Sequence, residues 1–135
     1  RRRSVKPQTG AYLDKAREHL DHADRMLSVD LTEDAGRAAY LAGFHAAQGL
    51  IFEMEGRVSK THSGVRSEFL RLTKGNPAVN AELKAFLGQA YQLKAIADYE
   101  TGPGSRVPVE KACEAIRSAR RFVDCVAALV LTTGA

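Results

Sequence analysis

An arginine and a histidine with four residues between them, Arg57 and His62, lie in the stretch Gly56-Arg57-Val58-Ser59-Lys60-Thr61-His62-Ser63-Gly64. These residue types suit phosphoryl chemistry. Cleavage of RNA by its own 2′-hydroxyl needs a base, an acid and charge stabilisation at the phosphorane. An arginine keeps its proton and binds two phosphate oxygens, so Arg57 fits the stabilising role. His62 falls at an expected helix N-terminus, where the dipole disfavours imidazolium and leaves a neutral base available near pH 7. A base of this kind contributes roughly 100- to 10,000-fold. One histidine serves poorly as base and acid together, and a twofold dimer would bring two copies of the pair to one cleft. The plainer alternative stays open. His62 caps a helix and Arg57 is a solvated linker residue, since such pairs often arise by chance.

The elements that position this stretch are helices. The first is expected from Thr9 or Gly10 to Val29, capped by Thr9, with Leu13, Ala16, Leu20, Ala23 and Leu27 on one face. His19 and His22 are one turn apart and have the spacing of a metal pair. No carboxylate or cysteine is placed to complete a site, and solvated helix histidines are the expectation. After a turn with Asp30 or Thr32 as N-cap, the second helix runs to Glu55 and is apolar nearly all round. It is therefore surrounded by the others, and Gly56 ends it. A linker over 57–61 leads to a short third helix from Thr61 or Ser63, with Val65, Phe69 and Leu72 inward, stopping at Gly75. Asn76-Pro77 reads as N-cap and N1 of a fourth helix that ends at Asp98-Tyr99-Glu100. A loop over 101–105 follows, and Pro108 opens a last helix that continues to Val130.

No segment alternates with period two. The fold class is all-α: an up-and-down antiparallel bundle of four long helices plus one short helix. Short connections make sequential helices antiparallel. On that basis the Arg57–His62 stretch and the Asp98-Tyr99-Glu100 segment share one end of the bundle. Asp98 and Tyr99 are then placed to orient the imidazole or stack a base, and equally to close a helix end. Lys60, Arg66 and Arg71 stand near the site as phosphate contacts or as a solvated charged face. His45 lies mid-way along the buried second helix, where a core histidine satisfied by a neighbour outweighs a catalytic one. Arg37 and Tyr40, one turn apart on that helix, suggest a structural bond or a dimer contact.

Composition bounds the rest. A chain of 135 residues with a hydrophobic fraction of 44% makes one domain with a proper core, and without tryptophan that core is mostly Leu, Ala, Val and a few Phe. The net charge of +4 is carried by Arg1, Arg2, Arg3 and Lys6; of 20 basic residues, 16 remain against 16 acidic ones. The domain over 9–131 is thus neutral, and residues 1–8 read as a disordered basic tail or the edge of a longer chain. Cys113 and Cys125, about 18 Å apart on one helix, do not bridge each other. They read as small buried residues in a reducing, cytoplasmic compartment. No apolar run approaches a membrane span, and no signal peptide is visible.

Three segments in order carry a resemblance: Arg37-Ala-Ala-Tyr40-Leu-Ala-Gly-Phe44-His45-Ala-Ala, then Lys60-Thr61-His62-Ser63-Gly64-Val65, then Ala97-Asp98-Tyr99. Together they resemble the HEPN domain family, in particular its small stand-alone bacterial members, over roughly Tyr12 to Val126. The resemblance implies a helical bundle, usually a homodimer. Many members are metal-independent ribonucleases acting as toxins or in phage defence, and they use an arginine, four to six residues, then a histidine. Arg57 and His62 fit that pattern; no cofactor is implied, and RNA is the implied substrate. Toxin members often neighbour a minimal nucleotidyltransferase antitoxin that modifies a tyrosine two residues after the histidine. Gly64 stands there in this chain, which departs from the pattern. Other members have no nuclease activity and bind nucleotide or substrate for a partner enzyme.

Overall fold

The computed structural model describes residues 5–99 and 106–132. Among them are five helices and no strand: α1 (Pro7–Ser28), α2 (Thr32–Glu55), α3 (His62–Leu72), α4 (Ala81–Tyr99) and α5 (Val109–Thr132). This is the four-plus-one helical bundle the sequence implies. Glu100, the loop over 101–105 and residues 1–4 of the basic tail lie outside the described residues. Residues 7 and 8 of that tail already form the first turn of α1. Thr9 does not cap it. Its side chain is buried and donates to Glu53 Oε1 at 2.9 Å, and the Lys6 backbone N–H donates to the same oxygen at 3.0 Å.

Helix α2 is the axis of the molecule, packed by α1, α4, α5 and α3. Its small residues set the spacing. A methyl group on Gly43 would come within 2.2 Å of the Phe86 ring, so α4 lies where only glycine leaves room. At its start, the Glu33 carboxylate accepts the Val107 N–H at 2.9 Å and the Thr32 hydroxyl at 2.7 Å, joining α2 to the entry of α5. Neither Asp30 nor Thr32 caps α2; the residue before the helix is Leu31, and Asp30 sits at φ 62°. α4 begins at Ala81 rather than at Asn76-Pro77. The Asn76 side chain instead accepts the Ala78 N–H in a turn, and Asn80 caps the helix by accepting the Leu83 N–H at 2.9 Å. The two cysteines are partly rather than fully buried, and Cys125 Sγ approaches the Ala78 carbonyl at 3.6 Å.

One topological expectation fails. α3 does not run back from the end where α2 stops. Gly56, at φ 74°, reverses the chain, and the linker then climbs alongside α2. The Gln48 amide holds it there, donating to the Ser59 carbonyl at 3.0 Å. α3 starts at the level of Tyr40, which bonds His62, and descends to the level of Glu55, which bonds Arg71 at 3.0 Å. It is therefore parallel to α2, and antiparallel to α4, where His62 meets Tyr91 and Arg66 lies against Gly88. The four long helices still alternate. The short one is an extra descent, made possible by a six-residue extended return.

Candidate functional site

This path decides which residues meet. His62 meets α4 at Tyr91, near the middle of that helix, and not at the Asp98-Tyr99 end expected of it. Arg57 stays at the C-terminal end of α2. Tyr40 and Glu55 are about 22 Å apart along α2, and Arg57 stands at the level of Glu55, in a shallow recess with Val58, Ser59 and Glu68. Among the described residues Arg57 makes no hydrogen bond or ion pair. Arg71 takes up both nearby carboxylates, bonding Glu55 and Glu68. Within one chain, then, Arg57 and His62 are not brought together.

His62 is held closely. Thr61 caps α3 by accepting the Gly64 N–H at 3.0 Å, and this fixes the backbone under the ring. The imidazole stacks on Tyr91, with centroids 3.9 Å apart and planes at 19°. Its Nδ1 lies 2.8 Å from the Tyr40 hydroxyl. Tyr40 is 3% exposed, wedged between Phe44 and Tyr91, and burial pushes its phenol well above the usual range, so it stays protonated. Burial also lowers the His62 pKa, helped by the positive charges of Arg66 and Lys94. The ring is therefore neutral at pH 7, chiefly because it is desolvated.

The sequence offered Asp98 and Tyr99 to orient the imidazole or stack a base, and equally to close a helix end; in the structure the ring is held by Tyr40 and Tyr91. Asp98 is engaged elsewhere, accepting from Arg37 at 3.0 Å and Lys94 at 2.6 Å, and these cations hold its carboxyl low, Lys94 foremost. Tyr99 is exposed, with the Lys94 ammonium 5.6 Å from its ring centroid. The two tyrosines that matter were hidden for different reasons. Tyr91 reads as one more apolar position on α4, and Tyr40 appeared only beside Arg37. Of the proposed phosphate contacts, Arg66 faces His62 from the next turn of α3. Lys60 is exposed on the linker and has no partner among the described residues.

His45 belongs to a second cluster. Its Nδ1 lies 2.9 Å from Gln48 Oε1. The opposite end of that amide must donate to the Ser59 carbonyl, so the histidine donates from Nδ1. The ring stacks on His19 at 5.3 Å, and His19 meets His22 edge-on at 5.8 Å. The α1 histidines are thus not the solvated pair expected. Among the described residues no group of His, Cys, Asp or Glu is arranged to hold a metal. Burial, then the charges of His45, His22 and Lys15, push the His19 pKa from 6.5 down to about 4. Above pH 6.5 both folded and unfolded chains are neutral here. Between 6.5 and about 4 only the unfolded chain takes up the proton, so stability falls as the pH drops through that window. Urea midpoints measured at pH 7 and pH 5 will show this loss. His19→Asn will reduce it, and an unchanged difference would refute the assignment.

With this geometry in view, comparison with known proteins is informative. A model of the HEPN domain matches residues 9–129, and the chain belongs to that family. It is similar in fold to TT1696 from Thermus thermophilus, a crystal structure with 23% sequence identity and a TM-score of 0.74; the match covers 91% of this chain and 98% of that one. Comparison with curated proteins gave no match. The departure at Gly64 has a steric basis, since a methyl group there would meet Ser59 Oγ at 2.1 Å and Thr61 Oγ1 at 2.8 Å. A tyrosine at this position would require the capped linker to move. Among the described residues no helix is long and apolar enough to cross a membrane.

Proposed function

We propose that this HEPN domain is a metal-independent endoribonuclease, a toxin or phage-defence component, whose cleft is completed by a second copy of the chain. The observation that carries this reading is the mounting of His62. A neutral imidazole, clamped by two tyrosines, stands at a capped helix start beside Arg66 and Lys94. Arg57 is the complementary group, and it stands at the other end of α2. A twofold axis crossing the bundle between the two levels exchanges its ends, setting Arg57 of one copy beside His62 of the other. In the reaction the 2′-oxygen attacks the adjacent phosphorus, the bond to the 5′-oxygen breaks, and a cyclic phosphate and a 5′-hydroxyl result. A reducing, cytoplasmic setting suits the two free cysteines.

The separation of Arg57 from His62 within one chain favours a second reading. Here His62, Arg66 and Lys94 bind a nucleotide or substrate phosphate for a partner such as a nucleotidyltransferase, without cleavage. An RNA cleavage assay in EDTA separates the two readings. Wild type is expected to yield fragments ending in cyclic phosphate, and His62→Ala is not. Equal turnover by the two proteins, or none by either, overturns the ribonuclease reading.

A further inference from the structure

The hydrogen bond to Tyr40 bears on what His62 can do. A buried phenol must give its proton to an acceptor. Among the described residues the Tyr40 hydroxyl has one protein partner, His62 Nδ1. The alternative, with Nδ1–H donating to the phenol oxygen, leaves the phenol proton with no protein acceptor among the described residues. That disfavours it by roughly 5- to 150-fold. The groups facing the ring from α2, α3 and α4 are Tyr40, Arg66, Tyr91 and Lys94. None of them offers a carboxylate that would favour imidazolium.

We infer that Tyr40 is a positioning residue that fixes His62 as the neutral tautomer with its proton on Nε2. His62 then presents an N–H donor to a phosphoryl oxygen instead of a lone pair to the 2′-hydroxyl. This inference rests on the ribonuclease reading for its substrate, but the tautomer itself does not depend on it. In such a site the imidazole stabilises charge without transferring a proton. The 2′-hydroxyl proton leaves to solvent and the 5′-oxygen takes one from solvent, so the balance closes without His62. Tyr91 keeps the ring plane fixed while this donor is presented. The base expected at His62 from the helix dipole alone is thereby reassigned.

Nitrogen-15 NMR of the full chain tests the tautomer directly. Wild-type His62 is expected to show a protonated Nε2 and an unprotonated, hydrogen-bonded Nδ1. In Tyr40→Phe, which keeps the ring and its packing, the preference relaxes toward a mixture. A proton on Nδ1 in the wild type overturns the inference, whatever the protein does to RNA. The kinetic arm uses the same variant. A donor at Nε2 predicts that Tyr40→Phe, by removing one positioning hydrogen bond, lowers kcat about three- to tenfold with little change in KM. It also predicts no sigmoidal step in the pH profile at the His62 titration. If His62 were a base, the variant would keep or raise kcat and activity would climb in a sigmoidal step at the His62 titration; either result overturns the donor role. Absence of cleavage by wild type would sink the ribonuclease reading alone, and the NMR arm would still decide the tautomer.

Discussion

Arg57→Ala and His62→Ala proteins, each inactive alone, are expected to regain RNA cleavage when mixed. Removing a preorganised charge-stabilising donor costs about 100- to 1,000-fold, so each homodimer falls to background. Arg57 and His62 are held at opposite levels of α2 in one chain, so a working pair draws one residue from each copy. A mixed dimer then contains one intact pair, Arg57 from the His62→Ala chain and His62 from the Arg57→Ala chain. With free exchange half the dimers are mixed, and each has one of its two sites intact. The mixture should recover about a quarter of wild-type activity. If the two residues served within one chain, no mixed dimer would hold an intact pair and nothing would return. A mixture of wild type with the double variant reverses the logic and gives an internal control. Sedimentation at micromolar concentration provides a further check, since a monomer would leave His62 without its arginine.

Much of this arrangement was legible in the sequence because it depends on local rules. The alanine-rich, mostly apolar run from Ala38 to Phe52 marked α2 as the central helix, and Gly56 marked its end. The start of α3 was legible to within a residue or two, near Thr61 or Ser63, although the cap itself, Thr61, was not singled out. What could not be read was the path of the linker. Nothing in residues 57–61 distinguishes a tight reversal from an extended return, because the choice is made by Gln48 on another element. That bond, with the docking of Val65 and Phe69, goes with a path on which His62 rises to the level of Tyr40 while Arg57 remains behind. The expected meeting of this stretch with Asp98 and Tyr99 did not occur: α3 starts at the level of Tyr40 and runs the other way, so His62 meets α4 at Tyr91 instead. The roles of Tyr40 and Asp98 were interchanged for a related reason. A carboxylate looks like the partner of an imidazole until the cations claiming it, Arg37 and Lys94, are known.

Truncating Phe69 to alanine should cost about 3–5 kcal/mol and lower the melting temperature by roughly 10–20 °C, and its effect on the site should exceed its effect on the bundle. α3 is only 11 residues long, too short to persist by itself. Its hold on the molecule is the inner face, where Val65 and Phe69 are fully buried. The Phe69 ring lies 5.0 Å from Phe122 of α5, which in turn stacks at 4.8 Å on Phe86 of α4. The Phe69 ring thus fastens α3 to α5 and, through Phe122, to the aromatic contact with α4. Without it, α1, α2, α4 and α5 retain their own core, and α3 becomes the element with least to lose by detaching. His62 is its first residue, so its stack on Tyr91 and its bond to Tyr40 depend on that docking. Hydrogen exchange should therefore accelerate most in the α3 amides, and RNA cleavage should fall at temperatures where the four long helices remain folded. Phe69→Leu, which refills most of the volume, should restore both. A Phe69→Ala protein that melts within about 3 °C of wild type, or whose α3 amides exchange no faster than those of α4, would show that the linker bonds to Gln48 and Tyr40 hold α3 without the aromatic core.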